Sequence, residues 1–95
     1  MMPRWACAKD ANHDLICETL RKLGWDVIET WQVAQYVPGF PDAMACRDGV
    51  VIGIEIKGAR GVRTKAEREF ALAHDWMIPV VRTIEDCQKL TERRA

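Results

Sequence analysis

Residues 48–57, with the sequence DGVVIGIEIK, decide the fold because they join a turn signal to a buried strand. Asp48 and Gly49 form a strong two-residue hairpin signal, since both residue types tolerate a positive φ. Residues 50–57 are largely apolar on both faces, which is typical of a strand buried between two layers. The sequence therefore predicts a hairpin in which a strand over 42–47 pairs with a central strand over 50–57.

The elements before this hairpin are predicted from helical and strand periodicity. Apolar residues at helical spacing predict a helix that begins at Asp10 or Asn12, either of which can cap it, and ends at Leu23. In this interpretation Leu15 faces the core. A strand over 25–31 follows, and the proline-containing stretch after it cannot continue a ladder.

The elements after the hairpin complete the fold class. Thr64 and Glu67 have the form of a capping box that opens a second helix. A strand over 77–82 and a final helix follow. The order α-β-β-β-α-β-α predicts an α/β fold, a single compact domain with a mixed β-sheet flanked by helices. Residues 1–9 read as an irregular arm and residues 10–90 as the core.

Composition limits the class of protein. A chain of 95 residues allows one domain, and 48% apolar with 29% charged residues is ordinary for a soluble globule. The 14 basic residues balance the 14 acidic ones, so net charge does not argue for nucleic acid, although a local patch is enough for phosphate contact. No apolar run spans a bilayer and no secretory signal is visible, so we expect an intracellular, cytoplasmic protein.

Cysteine and histidine spacing predicts no zinc site. The chain has no C-x-x-C pair, and its two histidines, His13 and His74, lack ligand spacing relative to one another. We expect reduced, partly buried thiols and a surface position for His13 at the start of the first helix. The cysteines are Cys7, Cys17, Cys46 and Cys87.

Charged residues at the end of the central strand are the feature that points to chemistry. Glu55 and Lys57 share one face of that strand. Asp42 lies as far from the hairpin turn as Glu55, so the two acids should meet across the strands. Converging carboxylates repel unless a cation sits between them, and oxygen ligands favour Mg²⁺. Lys57 offers a compact positive charge, or a base of lowered pKa if it is desolvated. The alternative for Glu55 and Lys57 is a solvated strand end with an ordinary cross-strand salt bridge. The alternative for Asp42 is a turn residue after Pro41.

The segments GFPD at 39–42 and GVVIGIEIKG at 49–58 resemble the core of the PD-(D/E)XK nuclease superfamily. Within it the chain is most similar to small VRR-NUC and Holliday-junction-resolvase-like proteins, which are common in phages and prophages. The likeness covers residues 10–90. It implies a restriction-endonuclease-like αβββαβ core. It also implies metal-dependent hydrolysis of DNA phosphodiesters by a homodimer that acts on branched DNA such as Holliday junctions.

The resemblance also implies roles for individual residues. Asp42 and Glu55 would bind Mg²⁺ or Mn²⁺, with the main-chain carbonyl of Ile56 as a third ligand. Lys57 would position or activate the attacking water and stabilise charge on the phosphate. These roles agree with the chemistry of metal-assisted phosphoryl transfer.

One position departs from the family pattern. Members commonly carry an acid on the first helix that completes the metal site, and that position falls on Leu15, which cannot bind a cation. Asp14 and Glu18 lie one turn apart on one helix face and could replace it. The alternative for both is a solvated acidic face.

A basic loop follows the central strand. Positions 57–68 contain five basic residues and one acid, Glu67, which is a local excess of four positive charges. This excess favours contact with a DNA phosphate backbone without sequence specificity. The alternative is a flexible, solvated loop. The second candidate function is a DNA-binding module that keeps the nuclease scaffold with weakened hydrolysis. Besides Lys57, the basic residues are the candidate DNA-binding residues Arg60, Arg63, Lys65 and Arg68.

Overall fold

A four-stranded sheet flanked by three α-helices makes up residues 9–93, the part of the chain that this computed structural model describes. The α-β-β-β-α-β-α order is the predicted one. No helix within residues 9–93 is long and apolar enough to cross a membrane. In chain order the elements are α1 (His13–Lys22), β1 (Asp26–Glu29), a 3-10 helix (Trp31–Gln35), β2 (Ala43–Arg47), β3 (Val50–Ile56), α2 (Lys65–Ala73), β4 (Val80–Val81) and α3 (Ile84–Arg93).

The sheet is mixed, and its strand order is β1-β2-β3-β4. The first two pairs are antiparallel, whereas β4 runs parallel to β3 and is reached through α2. The turn between β2 and β3 is formed by Asp48 and Gly49, with φ angles of 50° and 81°. Positive φ at both positions is the geometry of a tight hairpin turn, so the predicted hairpin is confirmed. The mixed sheet with its three helices confirms the predicted α/β class.

The main core lies between the sheet and two helices. Ile16 and Leu20 of α1 are fully buried and belong to one apolar cluster with Ile54 of β3 and Leu90 of α3. Trp25 closes this layer, because its indole Nε1 donates a hydrogen bond of 3.0 Å to the Thr91 hydroxyl. Side chains alternate along β3, so the other face of the sheet is left for a second layer.

That second layer consists of aromatic rings below α2. The rings of Phe40, Phe70 and Trp76 pack with centroid separations of 5.7 to 6.4 Å. Gly53 in β3 leaves room for this layer, since a Cβ there would lie 2.8 Å from atoms of both Pro41 and Trp76. The packing fixes the start of α2 against the chain that leads into β2.

One predicted core position and two predicted strand boundaries are wrong. Leu15 is 50% exposed, because the buried stripe of α1 follows other positions of the helix. The strand predicted over 25–31 ends at Glu29. The strand predicted over 77–82 shrinks to two residues, because Met77 is exposed and Pro79 has no N–H to donate. The arm predicted over residues 1–9 lies, except for its last residue, outside the described residues.

Candidate metal centre

Asp42 and Glu55 lie beside each other at one end of the β2–β3 pair. Ala43 pairs with Ile54, so the residues that come next, Asp42 and Glu55, are cross-strand neighbours. The Asp42 carboxylate turns onto β3, where its Oδ2 accepts a 2.7 Å hydrogen bond from the backbone N–H of Ile56. This contact fixes one acid against the strand that carries the other.

Glu55 is a buried carboxylate with unmet hydrogen-bonding capacity. Its side chain is fully buried, and neither carboxylate oxygen has a hydrogen-bond partner among the described residues. The Arg63 Nε lies 3.2 Å from Oε2, which makes an ion pair without hydrogen-bond geometry. Burial, followed by the negative charge of Glu67, raises the pKa of Glu55 to about 7. A buried carboxylate of this kind is costly unless a cation or proton compensates it.

Lys57 is held as a positive charge by Glu67. The Lys57 Nζ lies 2.8 Å and 3.1 Å from the two Glu67 carboxylate oxygens, and both side chains are almost fully buried. Burial acts to lower the pKa of Lys57, but the hydrogen bond and charge of Glu67 outweigh it, so the pKa is raised. The raised pKa means that Lys57 is a fixed ammonium rather than a base of lowered pKa.

Glu67 is a third acid at this site, and sequence reasoning identified it only as a member of a capping box. The capping box is present: Thr64 N–H donates to the Glu67 carboxylate at 2.8 Å, and Glu67 N–H donates to the Thr64 hydroxyl at 3.1 Å. Gly39 brings α2 close, since a Cβ at Gly39 would overlap the Ala66 carbonyl. Burial, and then the charge of Glu67, raises the pKa of Asp42 against the hydrogen bond from Ile56.

Asp10 and Asn12 support the end of β3 in addition to preceding α1. The Asn12 side chain makes no capping bond but donates to the carbonyls of Lys57 and Arg82, at 3.0 Å and 2.9 Å. Asp10 accepts a 2.8 Å bond from the Gly58 N–H, and Arg82 donates to the Gly58 carbonyl at 2.7 Å. The predicted capping role of these two side chains is therefore replaced by a brace on the strand end that carries Lys57.

The acids of α1 face away from the sheet. The Asp14 side chain is 74% exposed and forms a 3.2 Å ion pair with Lys9, and Glu18 is also exposed. The structure thus turns both candidate ligands to solvent. The expected surface position of His13 is wrong: its side chain is 1% exposed, and its Nε2 lies 3.0 Å from the Glu29 carboxylate.

The four candidate DNA-binding residues divide into two groups. Arg60, Lys65 and Arg68 are exposed on the loop and on the first turns of α2. Arg63 instead turns inward, where it pairs with Glu55 and donates a hydrogen bond to the backbone carbonyl of Ile78. Three of the four are therefore available to a phosphate backbone, and the fourth neutralises a buried acid.

These features define a class of site: a buried acidic cluster with a lysine at the end of a sheet and a basic surface beside it. No protein-family model matches the chain, and no curated protein matches it.

Proposed function

We propose that the chain is a divalent-metal-dependent DNA endonuclease. The observation that carries this proposal is the fully buried Glu55 carboxylate, which has no hydrogen-bond partner among residues 9–93 and stands next to Asp42 of the neighbouring strand. Two adjacent carboxylates with free lone pairs suit a hard divalent ion such as Mg²⁺ or Mn²⁺. The donor set fits such an ion, and the main-chain carbonyl of Ile56 would add a third oxygen.

The remaining residues fit the hydrolysis of a phosphodiester. A bound divalent ion would polarise a phosphoryl oxygen and lower the pKa of a bound water. Lys57 is kept charged by Glu67 and so can stabilise the negative charge that develops on the phosphate. Arg60, Lys65 and Arg68 supply positive charge along the path of the DNA backbone.

The substrate class proposed is branched DNA, such as a four-way junction, cut by a homodimer. The support is the sequence likeness together with the size of the chain. A domain with a Cα radius of gyration of 12.8 Å spans little of a branched duplex, and a symmetric pair would present two sites to two strands.

A second candidate is a DNA-binding module with weak hydrolysis. The observation that favours it is the outward orientation of Asp14 and Glu18, which leaves α1 without an acid directed at the site. In addition, Arg63 already neutralises part of the charge of Glu55. A binding module would hold DNA without a divalent ion, whereas the endonuclease requires one for cleavage.

A cleavage assay on four-way, flap and linear DNA in Mg²⁺ and Mn²⁺ tests the proposal. The variants Asp42→Asn, Glu55→Gln and Lys57→Met should each lose at least about 100-fold in rate. Glu69→Gln is the matched control, because Glu69 is an exposed acid of α2 that pairs with Lys65 on the surface. Cleavage that survives both Glu55→Gln and Lys57→Met refutes the assigned site. Metal-independent binding without cleavage by the wild type supports the binding module.

A further inference from the structure

A second cluster of metal-binding side chains lies between α1 and β1. The Nε2 of His13 is 3.0 Å from Oε1 of Glu29, and the Sγ of Cys17 is 3.6 Å from the same Nε2. The three ligand atoms all lie within 4.8 Å of one another. Nitrogen, sulfur and oxygen donors thus converge on one point.

The cluster is built into the fold. His13 and Cys17 lie one turn apart on the buried face of α1 and are each about 1% exposed. Glu29 reaches them from β1, the edge strand, and its side chain is 35% exposed. Two ligands are therefore fixed by the helix, and the third leaves a route from solvent.

The spacing of the atoms suits a tetrahedral ion. A zinc ion with bonds of about 2.0 to 2.3 Å keeps nitrogen, oxygen and sulfur ligands roughly 3.3 to 3.6 Å apart. The observed separations of 3.0 and 3.6 Å are close to these values. A hard ion such as Mg²⁺ would not select a thiolate and an imidazole, whereas zinc does.

We propose that His13, Cys17 and Glu29 form a zinc site that joins α1 to the edge strand, separate from the acids at the end of β3. Three protein ligands leave a fourth position, which water can fill from the exposed side of Glu29. The expectation of no zinc site rests on cysteine pairs and histidine pairs alone, whereas the signal in the sequence is the spacing of four residues from His13 to Cys17 on one helix.

Binding changes the protons in a defined way. Burial raises the pKa of the Cys17 thiol to about 11, so the metal-free thiol is protonated and loses its proton when zinc binds. Zinc binding through Nε2 needs the lone pair of that nitrogen, so the proton that His13 shares with Glu29 leaves or moves to Nδ1, and Glu29 exchanges this hydrogen bond for the ion. Its other oxygen, Oε2, keeps the 3.3 Å pair with Arg21, which holds the carboxylate in place.

Cobalt(II) spectroscopy on the full chain tests the proposal. We expect Co²⁺ to give a sulfur-to-cobalt charge-transfer band in the near ultraviolet and the strong visible bands of a tetrahedral complex, and Zn²⁺ to displace it. Cys17→Ser should abolish the charge-transfer band. Cys87→Ser is the matched control and should keep it, because Cys87 is also buried but lies outside the cluster. Circular dichroism checks that each variant is folded.

Two further variants keep the test sharp. Glu29→Gln changes a partly exposed ligand without opening the core, and it should weaken Co²⁺ binding by about tenfold or more. Glu55→Gln should leave the band unchanged, since Glu55 belongs to the other site. The absence of a charge-transfer band in the wild type, or its retention in Cys17→Ser, overturns the proposal. Neither outcome bears on DNA cleavage, so this site and the endonuclease fail separately.

Discussion

Glu55→Gln is the most informative single substitution, because it separates the charge of Glu55 from its volume. The side chain is fully buried, and its pKa is raised from an ordinary 4.5 to about 7, first by burial and then by the charge of Glu67. Glutamine keeps the shape of the side chain and removes the titration. Any change in how stability depends on pH therefore reports on the charge alone.

The sign and size of the effect follow from proton linkage. The folded pKa lies above the unfolded one, so the stabilisation due to the bound proton is complete below pH 4.5 and is lost as the pH rises to about 7. The shift corresponds to roughly 3 kcal/mol of unfolding free energy at most. We expect the Gln variant to match the wild type near pH 4.5 and to exceed it at pH 8.

Urea denaturation at pH 4.5, 6, 7 and 8, without divalent ions, measures the difference between the two proteins. Glu69→Gln is the control, since its exposed carboxylate should leave the pH profile of the wild type unchanged. Adding Mg²⁺ at pH 8 should stabilise the wild type and not Glu55→Gln, because the ion then takes the place of the proton. Parallel pH profiles for the wild type and Glu55→Gln would show that the buried carboxylate carries no such cost.

Three further changes test the packing of the two layers and the charge beside Glu55. Gly39→Ala should lower stability by about 2 kcal/mol or more in urea denaturation, since its φ is 85° and its Cβ would overlap the Ala66 carbonyl; a loss below 0.5 kcal/mol contradicts this contact. Trp25→Phe should cost about 1 to 3 kcal/mol by the same measurement, because it leaves the Thr91 hydroxyl without the indole N–H; near-neutral stability argues against that bond. Arg63→Gln should raise Mg²⁺ affinity in calorimetric titration, because its guanidinium pairs with the acid that would bind the ion; unchanged affinity means that the pair does not compete.

The parts of the fold that could be predicted are those that local sequence decides. The tight turn at Asp48 and Gly49 and the capping box at Thr64 depend on residues within a few positions of each other, and both are present. The edges of the buried face of α1 could not be predicted, because the sheet and α3 decide which positions beside the buried Ile16 and Leu20 are covered. Periodicity therefore predicts a buried Leu15 and a surface His13, whereas Leu15 is half exposed and His13 is buried.

The site was predictable only in part for the same reason. The hairpin count already put Asp42 beside Glu55, since register follows from the turn. The ion pair of Glu67 with Lys57 depends on how α2 packs over the sheet, which no local sequence pattern predicts. The bonds of Asn12 to positions 57 and 82 are also invisible in the sequence, because they join segments far apart along the chain.

The amide of Asn12 has a consequence for how the protein is made. Its two carbonyl partners are 45 and 70 positions further along the chain, so this pair of hydrogen bonds cannot form until position 82 has left the ribosome. A nascent chain that stops before position 82 can build the hairpin but lacks the second anchor of its strand end. The lysine beside that anchor therefore reaches its final setting only after the segment with Arg82 has emerged and folded back onto the start of α1.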